Sequence, residues 1–232
     1  MNEILIATTL LLTFGSVLLW FRLFRRAGLY ALTAFITIVA NIEVVILVDA
    51  FGIEMTLGNM LFAGTFLATD ILSEVYGRNE ASKCVKVGIL SSVSMIVLTS
   101  LWMLYTPSAN DFVFPAVMTV FSNTPRVLIA SLLVYAICQA VDVQLYHLIW
   151  HITGKNEKFM WLRNNGATLV SQVLNAVLFN FIAFYGTIDM STMWSIILAN
   201  FAITVVTSLL DTPVLYLARH IARKHHYGKY DV

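Results

Sequence analysis

RVLIASLLVYAICQAVDVQLYHLIW, residues 126–150, decides how the rest of this chain is read. At about 20 apolar residues per bilayer crossing, it is long enough to cross as one helix. Yet it carries Arg126 at its start and Gln139, Asp142, Gln144 and His147 further on. Ionisable groups in a membrane span cost about 2.5–3.5 kcal/mol each on insertion scales, so they are kept where they face a protein interior, a partner or a water-filled path. At about 100° per residue, Tyr135, Gln139, Asp142 and Tyr146 share one side of this helix. That side is polar and aromatic; the others suit lipid.

The 232 residues are 59% hydrophobic and 12% charged, against about 25% charged in a soluble domain. The apolar runs are too long for a soluble core. They predict an all-α, polytopic protein, one integral domain over residues 1–232, multi-pass in the cytoplasmic membrane with lipid around it. A formal net charge of +1 points away from a nucleic-acid partner. Cys84 and Cys138 lack metal-ligand spacing and read as small apolar residues rather than a disulfide. The first 23 residues carry no basic leader segment; Arg22, Arg25 and Arg26 follow the apolar run instead. This predicts an uncleaved first span with the N-terminus outside.

Hydropathy gives seven spans, at about 4–23, 29–48, 56–76, 85–106, 126–150, 165–186 and 194–218. In that arrangement 13 of the 14 basic residues fall on one side, which sets the C-terminus in the cytoplasm. Six or eight spans would scatter them. Arg126 is the exception, at the outer end of span five, either snorkelling to headgroups or turned inward to a carboxylate. The connection 106–125 contains DFVFPAVMTVF, too short to span and too apolar for free solvent. It reads as a re-entrant or interfacial segment over the outer mouth. The tail bearing His225 and His226 reads as a solvated end.

Polar residues recur on single faces of the other spans: Thr37 and Asn41; Asp70, Ser73, Glu74 and Gly77; Thr168, Ser171, Gln172 and Asn175; Thr204, Thr207, Ser208 and Asp211. Pro213 should bend or interrupt the last span. With about 1.5 Å of rise per residue, Asn41, Gln139, Gln172, Asn175 and Thr204 come near the midplane. Asp70, Asp142 and Asp211 fall in the inner half and Glu74 near the cytoplasmic end. Together they predict one central cavity opening inward. Lone Ser, Thr and Asn residues also hold transmembrane helices together, at about 0.6 kcal/mol per hydrogen bond. Asp211, ahead of Thr-Pro, has a second reading as a partner for backbone groups freed by the proline. Several acids with Arg126 as the one basic partner in the spans are harder to explain as glue. They need protons, cations or hydrogen-bond donors.

No HExxH, GxSxG, P-loop or CxxC occurs. His147 and His151 lack the intervening glutamate and read as interfacial rather than as metal ligands. Neither an enzyme nor a cofactor is expected.

FLATDILSEVYG (66–77), RVLIASLLVYAICQAVDV (126–143), WLRNNGATLVSQVLNAVLFNFIAFYG (161–186) and LLDTPVLYLA (209–218) together resemble the queuosine precursor transporter family, also called the vitamin uptake transporter family. The resemblance covers residues 35 to 220. It implies uptake of 7-deazaguanine precursors of the tRNA nucleoside queuosine: preQ0, preQ1 or queuine. Asn175 stands where many members have Asp, and Thr204 where many have Lys, which leaves open the precursor carried. A guanine edge offers N–H donors at N1 and N2 that one carboxylate can accept together, and an O6 acceptor for Gln or Asn. Asp70, Glu74 or Asp142 suit the edge and the amine of preQ1 or queuine, with Gln139, Gln172 and Asn175 orienting. Phe66, Tyr76 and Tyr135 suit the ring faces. Asn41, Arg126 and Asp211 complete the candidate set. A homodimer is compatible with so small a bundle. Two alternatives stand beside the carrier: a substrate-binding subunit needing an ATPase module, and a scaffolding protein whose polar residues are glue.

Overall fold

A computed structural model describes residues 1–44, 46–121, 125–154, 157–186 and 189–228. In chain order they form helix α1 (Asn2–Glu43), strands β1 (Leu47–Ala50) and β2 (Ile53–Thr56), then helices α2 (Gly58–Tyr76), α3 (Arg78–Trp102), α4 (Phe114–Phe121) and α5 (Pro125–Thr153). A single 3-10 turn at Glu157–Phe159 leads into α6 (Met160–Phe184) and α7 (Met190–Lys224). The fold is all-α apart from the two short strands. Five helices, α1, α3, α5, α6 and α7, are long and apolar enough to cross a membrane. Large apolar residues such as Leu11, Leu98 and Leu198 lie exposed along them, as a surface bathed in lipid requires.

Helix α1 doubles back on itself. Arg25 sits inside it with φ 55° and ψ −136°, outside the helical region. A Cβ added to Gly64 would meet Thr13 Cγ2 at 2.6 Å and Ile36 Cδ1 at 3.0 Å, so those two residues lie side by side against α2. A straight helix would hold them about 35 Å apart, at about 1.5 Å per residue. The arms 2–24 and 26–43 are therefore antiparallel, and Arg22, Arg25 and Arg26 mark the turn. We call that end of the bundle the basic end.

The opposite end carries the β1–β2 hairpin, which pairs Ala50 with Ile53 across Phe51 and Gly52. Both turn residues have positive φ, 54° and 74°, as a tight two-residue hairpin loop requires. The start of the chain is bound here: Asn2 Nδ2 donates to Asp49 O at 2.8 Å, and the Phe51 N–H donates to Glu3 Oε1 at 3.3 Å.

The basic end closes around the core. Helix α2 passes into α3 through the single residue Gly77, at φ 91° and ψ 174°, a backbone state open to glycine and strained for other residues. Beyond α7, Tyr227 tucks into the α1 turn. Its ring meets Phe21 edge-on at 5.6 Å, the Arg25 guanidinium lies 4.7 Å from its centroid, and its hydroxyl donates to Arg22 O at 3.1 Å. Between the two ends, Phe21, Leu29, Leu67, Ile71, Leu72 and Leu215 form the fully buried apolar core of α1, α2 and α7.

Three expectations change. Helices α3 and α6 begin at Arg78 and Met160, several residues before the sequence-based spans, because hydropathy discounts the charged first turns. Helix α7 continues through Pro213; its start is fixed by Asp189, whose side chain accepts from the Thr192 N–H at 2.9 Å. The hairpin was not expected, since its four-residue strands are too short to show a period.

Candidate functional site

A cavity lies between α2, α5, α6 and α7, in the half of the bundle nearer the hairpin. Its walls are Phe62, Ala63 and Phe66 from α2; Ser131, Tyr135 and Cys138 from α5; Thr168, Gln172, Asn175, Ala176, Phe179 and Asn180 from α6; and Asn200, Thr204, Thr207, Ser208 and Asp211 from α7. Val44, just before the hairpin, and Thr56, the last residue of β2, also line it. About 90 Å³ is open to the centres of water molecules, well above the roughly 10–15 Å³ that one water needs. The walls combine aromatic faces, four side-chain amides and one carboxylate. Such a lining suits a small flat polar guest.

Hydrogen bonds between helices set the polar floor. Asn164 Nδ2 donates to Asp211 Oδ1 at 2.6 Å and lies 3.1 Å from Thr212 Oγ1. Asn165 Nδ2 donates to Thr212 Oγ1 at 2.7 Å, and Ser208 Oγ donates to Asn165 Oδ1 at 3.0 Å. Two adjacent asparagines of α6 thereby fix the face of α7 that turns Asp211 to the cavity. Ser171 Oγ donates to Asp142 Oδ1 at 2.9 Å, while among the described residues no group donates to Asp142 Oδ2 or to either oxygen of Asp70. Asp70 and Asp142 are fully buried. Each follows a cavity-wall residue, Phe66 and Cys138, by one turn of helix.

One turn further toward the basic end a buried ion cluster crosses the bundle. Glu74, 1% exposed, accepts from Tyr146 Oη at 3.0 Å and from Arg163 Nη2 at 3.2 Å; Arg219 Nη1 lies 3.7 Å from its other oxygen. Arg163 is itself 1% exposed and stacks over Trp150 at 4.6 Å. The cluster joins α2, α5, α6 and α7 at one carboxylate.

The structure thus sorts the candidates from the sequence. Phe66, Tyr135, Gln172, Asn175 and Asp211 share the cavity wall. Asp70 and Asp142 lie buried just beyond it. Glu74 belongs to the ion cluster and is not on the wall. Gln139 is held between helices: its Nε2 donates to Thr65 Oγ1 at 2.8 Å, and Thr69 Oγ1 lies 3.4 Å from its Oε1. Asn41 likewise bridges helices, with its Nδ2 2.6 Å from Thr37 O and 3.3 Å from Ser92 Oγ, and its Oδ1 3.4 Å from Ser131 Oγ. The Arg126 side chain lies outside the described residues. Asp211 bonds Asn164, a side chain, rather than backbone freed by Pro213.

Two expectations are corrected. The cavity described lies toward the hairpin rather than at the basic end, where a separate hollow is lined by Ser73, Glu74, His147 and Trp150. Arg126 is also not the one basic residue available to the acids, since Arg163 and Arg219 are buried among them. The described residues of 106–125 contribute no wall residue; α4 has no buried residue and rests by Phe121 against Trp102, ring centroids 5.9 Å apart. Sequence reasoning missed Asn164, Asn165, Asn180 and Asn200. The paired asparagines fall at and just before the start of span six as hydropathy draws it, outside the polar face read there.

Gly88 of α3 abuts the Tyr135 hydroxyl, closer than a Cβ could approach. Gly88→Ala should displace the Tyr135 ring from the cavity wall. Overpacking of this kind costs about 1–3 kcal/mol. The expected result is a folded protein with a lower melting temperature, read by thermal unfolding beside wild type. An unchanged melting temperature would show that the ring position is immaterial.

A sequence profile described as "Putative vitamin uptake transporter" matches residues 56–218. A protein of Bacillus subtilis (strain 168) named "Probable queuosine precursor transporter" is 34% identical over 206 residues, covering 89% of this chain and 90% of that protein. The "Queuosine precursor transporter" of Escherichia coli (strain K12) is 28% identical over 193 residues, 80% of this chain and 83% of its own length. No solved structure matches the chain.

Proposed function

We propose, since this chain belongs to the vitamin uptake transporter family, that it imports 7-deazaguanine precursors of queuosine through the cavity between α2, α5, α6 and α7. The family is one of transporters, so the chain is not an enzyme; it is a multi-pass membrane protein. The cargo follows the names of its relatives. The observation that carries the reading is the cavity wall, where one carboxylate, Asp211, stands among amides and aromatic rings.

In this reading the Asp211 carboxylate accepts the N1 and N2 protons of the guest, while Gln172 and Asn175 donate to O6. Phe66 and Tyr135 lie along the ring faces. The role given by sequence to Asp70, Glu74 or Asp142 thus passes to Asp211, the acid that reaches the wall. The two arms of α1 with α2, α3, α5, α6 and α7 make seven crossings of the cytoplasmic membrane. The basic end faces the cytoplasm, by the excess of Arg and Lys there. The cavity then faces outward, and the Glu74 cluster is its inner seal.

Purified protein in liposomes, with no ATPase subunit and no ATP, is expected to take up labelled preQ1 or preQ0. Unlabelled guest of the same kind should compete. Uptake that appears with an ATPase module and ATP alone would replace this reading with that of a binding subunit. Absence of both uptake and any ligand-dependent thermal shift would remove the deazaguanine assignment.

A further inference from the structure

The cavity uses Asp211, and the seal uses Glu74. Neither accounts for Asp70. This side chain is 0% exposed, and among the described residues no group donates to either of its oxygens. Asp142, also 0% exposed, keeps one oxygen without a donor. The charged groups that act on Asp70 are Asp142 from α5, Asp211 from α7 and Glu74 from its own helix. The Tyr146 phenol of α5 faces it as well. Helices α1 and α3, which also pack on α2, bring no charged group that acts on it. The nearby cations are met elsewhere, since Arg163 and Arg219 pair with Glu74.

An ionised carboxylate in such a place has lost water, gained no donor and faces only like charges. A neutral carboxylic acid escapes all three penalties. A metal ion would do so too, but among the described residues no three His, Cys, Asp or Glu side chains are grouped to hold one. A proton needs only one oxygen.

We infer that Asp70 is the proton-binding site of the carrier, and that the guest is taken up together with a proton held there. This rests on the transport reading above. On loading, a proton from the cavity side forms an O–H bond on Asp70; on unloading, that bond breaks and the proton leaves toward the other face, with no change of oxidation state. Asp211 links the two events, because it stands on the cavity wall and acts on Asp70. The N–H groups of a guest favour the ionised form of Asp211, and that charge in turn favours a proton on Asp70. Each therefore favours the binding of the other, as linkage requires.

The test uses the full chain in liposomes with the membrane potential clamped to zero and preQ0 as the probe, because its nitrile carries no titratable amine. An outer pH one unit more acid than the inner should drive accumulation to about tenfold, the limit for one proton per guest. Asp70→Asn, uncharged and nearly isosteric, should still exchange labelled for unlabelled preQ0 but should equilibrate without accumulating. Independently of transport, the infrared carbonyl band of a protonated carboxyl group should be present at neutral pH and lost in Asp70→Asn.

Wild-type uptake that equilibrates without accumulation under the gradient would overturn the coupling and leave the carrier standing. Accumulation by Asp70→Asn equal to wild type would overturn the assignment to this residue, as would an unchanged carbonyl band. Failure of the transport reading would look different: no exchange of preQ0 by the wild type at any pH.

Discussion

Glu74→Gln is expected to cost about 3–5 kcal/mol of stability, the usual penalty for removing one member of a buried ion pair. The cause is not the loss of attraction as such. Arg163, 1% exposed, and Arg219, 8% exposed at the side chain, would remain in the bundle as two cations sharing a neutral amide. Unfolding of the purified variant in detergent, followed beside wild type, measures the difference. A companion variant gives the sign a second check: Glu74→Leu with Arg163→Met and Arg219→Met removes all three charges and should recover most of the loss. If Glu74→Gln unfolds within about 0.5 kcal/mol of wild type, as a surface substitution does, the cluster does not hold the helices together.

Asp211→Asn should weaken preQ1 binding by about 10- to 100-fold while leaving the fold intact. Hydrogen bonds to a charged group contribute about 1.5–3 kcal/mol, and about 1.4 kcal/mol is a factor of ten. The new side-chain oxygen can still accept from Asn164 Nδ2, now 2.6 Å from Asp211 Oδ1, so the contact between α6 and α7 survives. Equilibrium binding of preQ1 to purified protein reads the change, with the melting temperature as control. An unaltered affinity would move the guest away from Asp211 and leave the amides of α6 as its anchor.

What could be read from the sequence follows from what each signal measures. Long apolar runs broken by spaced polar residues identify the helices and the faces they turn inward. Helical spacing gave Tyr135, Gln172, Asn175 and Asp211, and the flat cargo implied by the resemblance added Phe66; the structure gathers these five on one wall. The same spacing gave Gln139 and Asn41, whose polar atoms are engaged by neighbouring helices. Periodicity says which way a side chain faces, not what meets it there. The cluster at Glu74 was hidden for another reason. Arg163 and Arg219 sit at helix ends, where hydropathy assigns basic residues to water, and their partner is remote in sequence. The same blindness at helix ends concealed Asn164 and Asn165.

The first residues are pinned to the hairpin by Asn2 and Glu3, and the last described ones to the Arg22–Arg25 bend by Tyr227. Asn2 and Tyr227 therefore lie at opposite poles of the bundle. On the seven-crossing reading proposed above, epitopes placed beside them should be cut by external protease one at a time, never together, in intact sealed vesicles of uniform orientation. A peptide joining the two poles would, on that reading, have to traverse the bilayer.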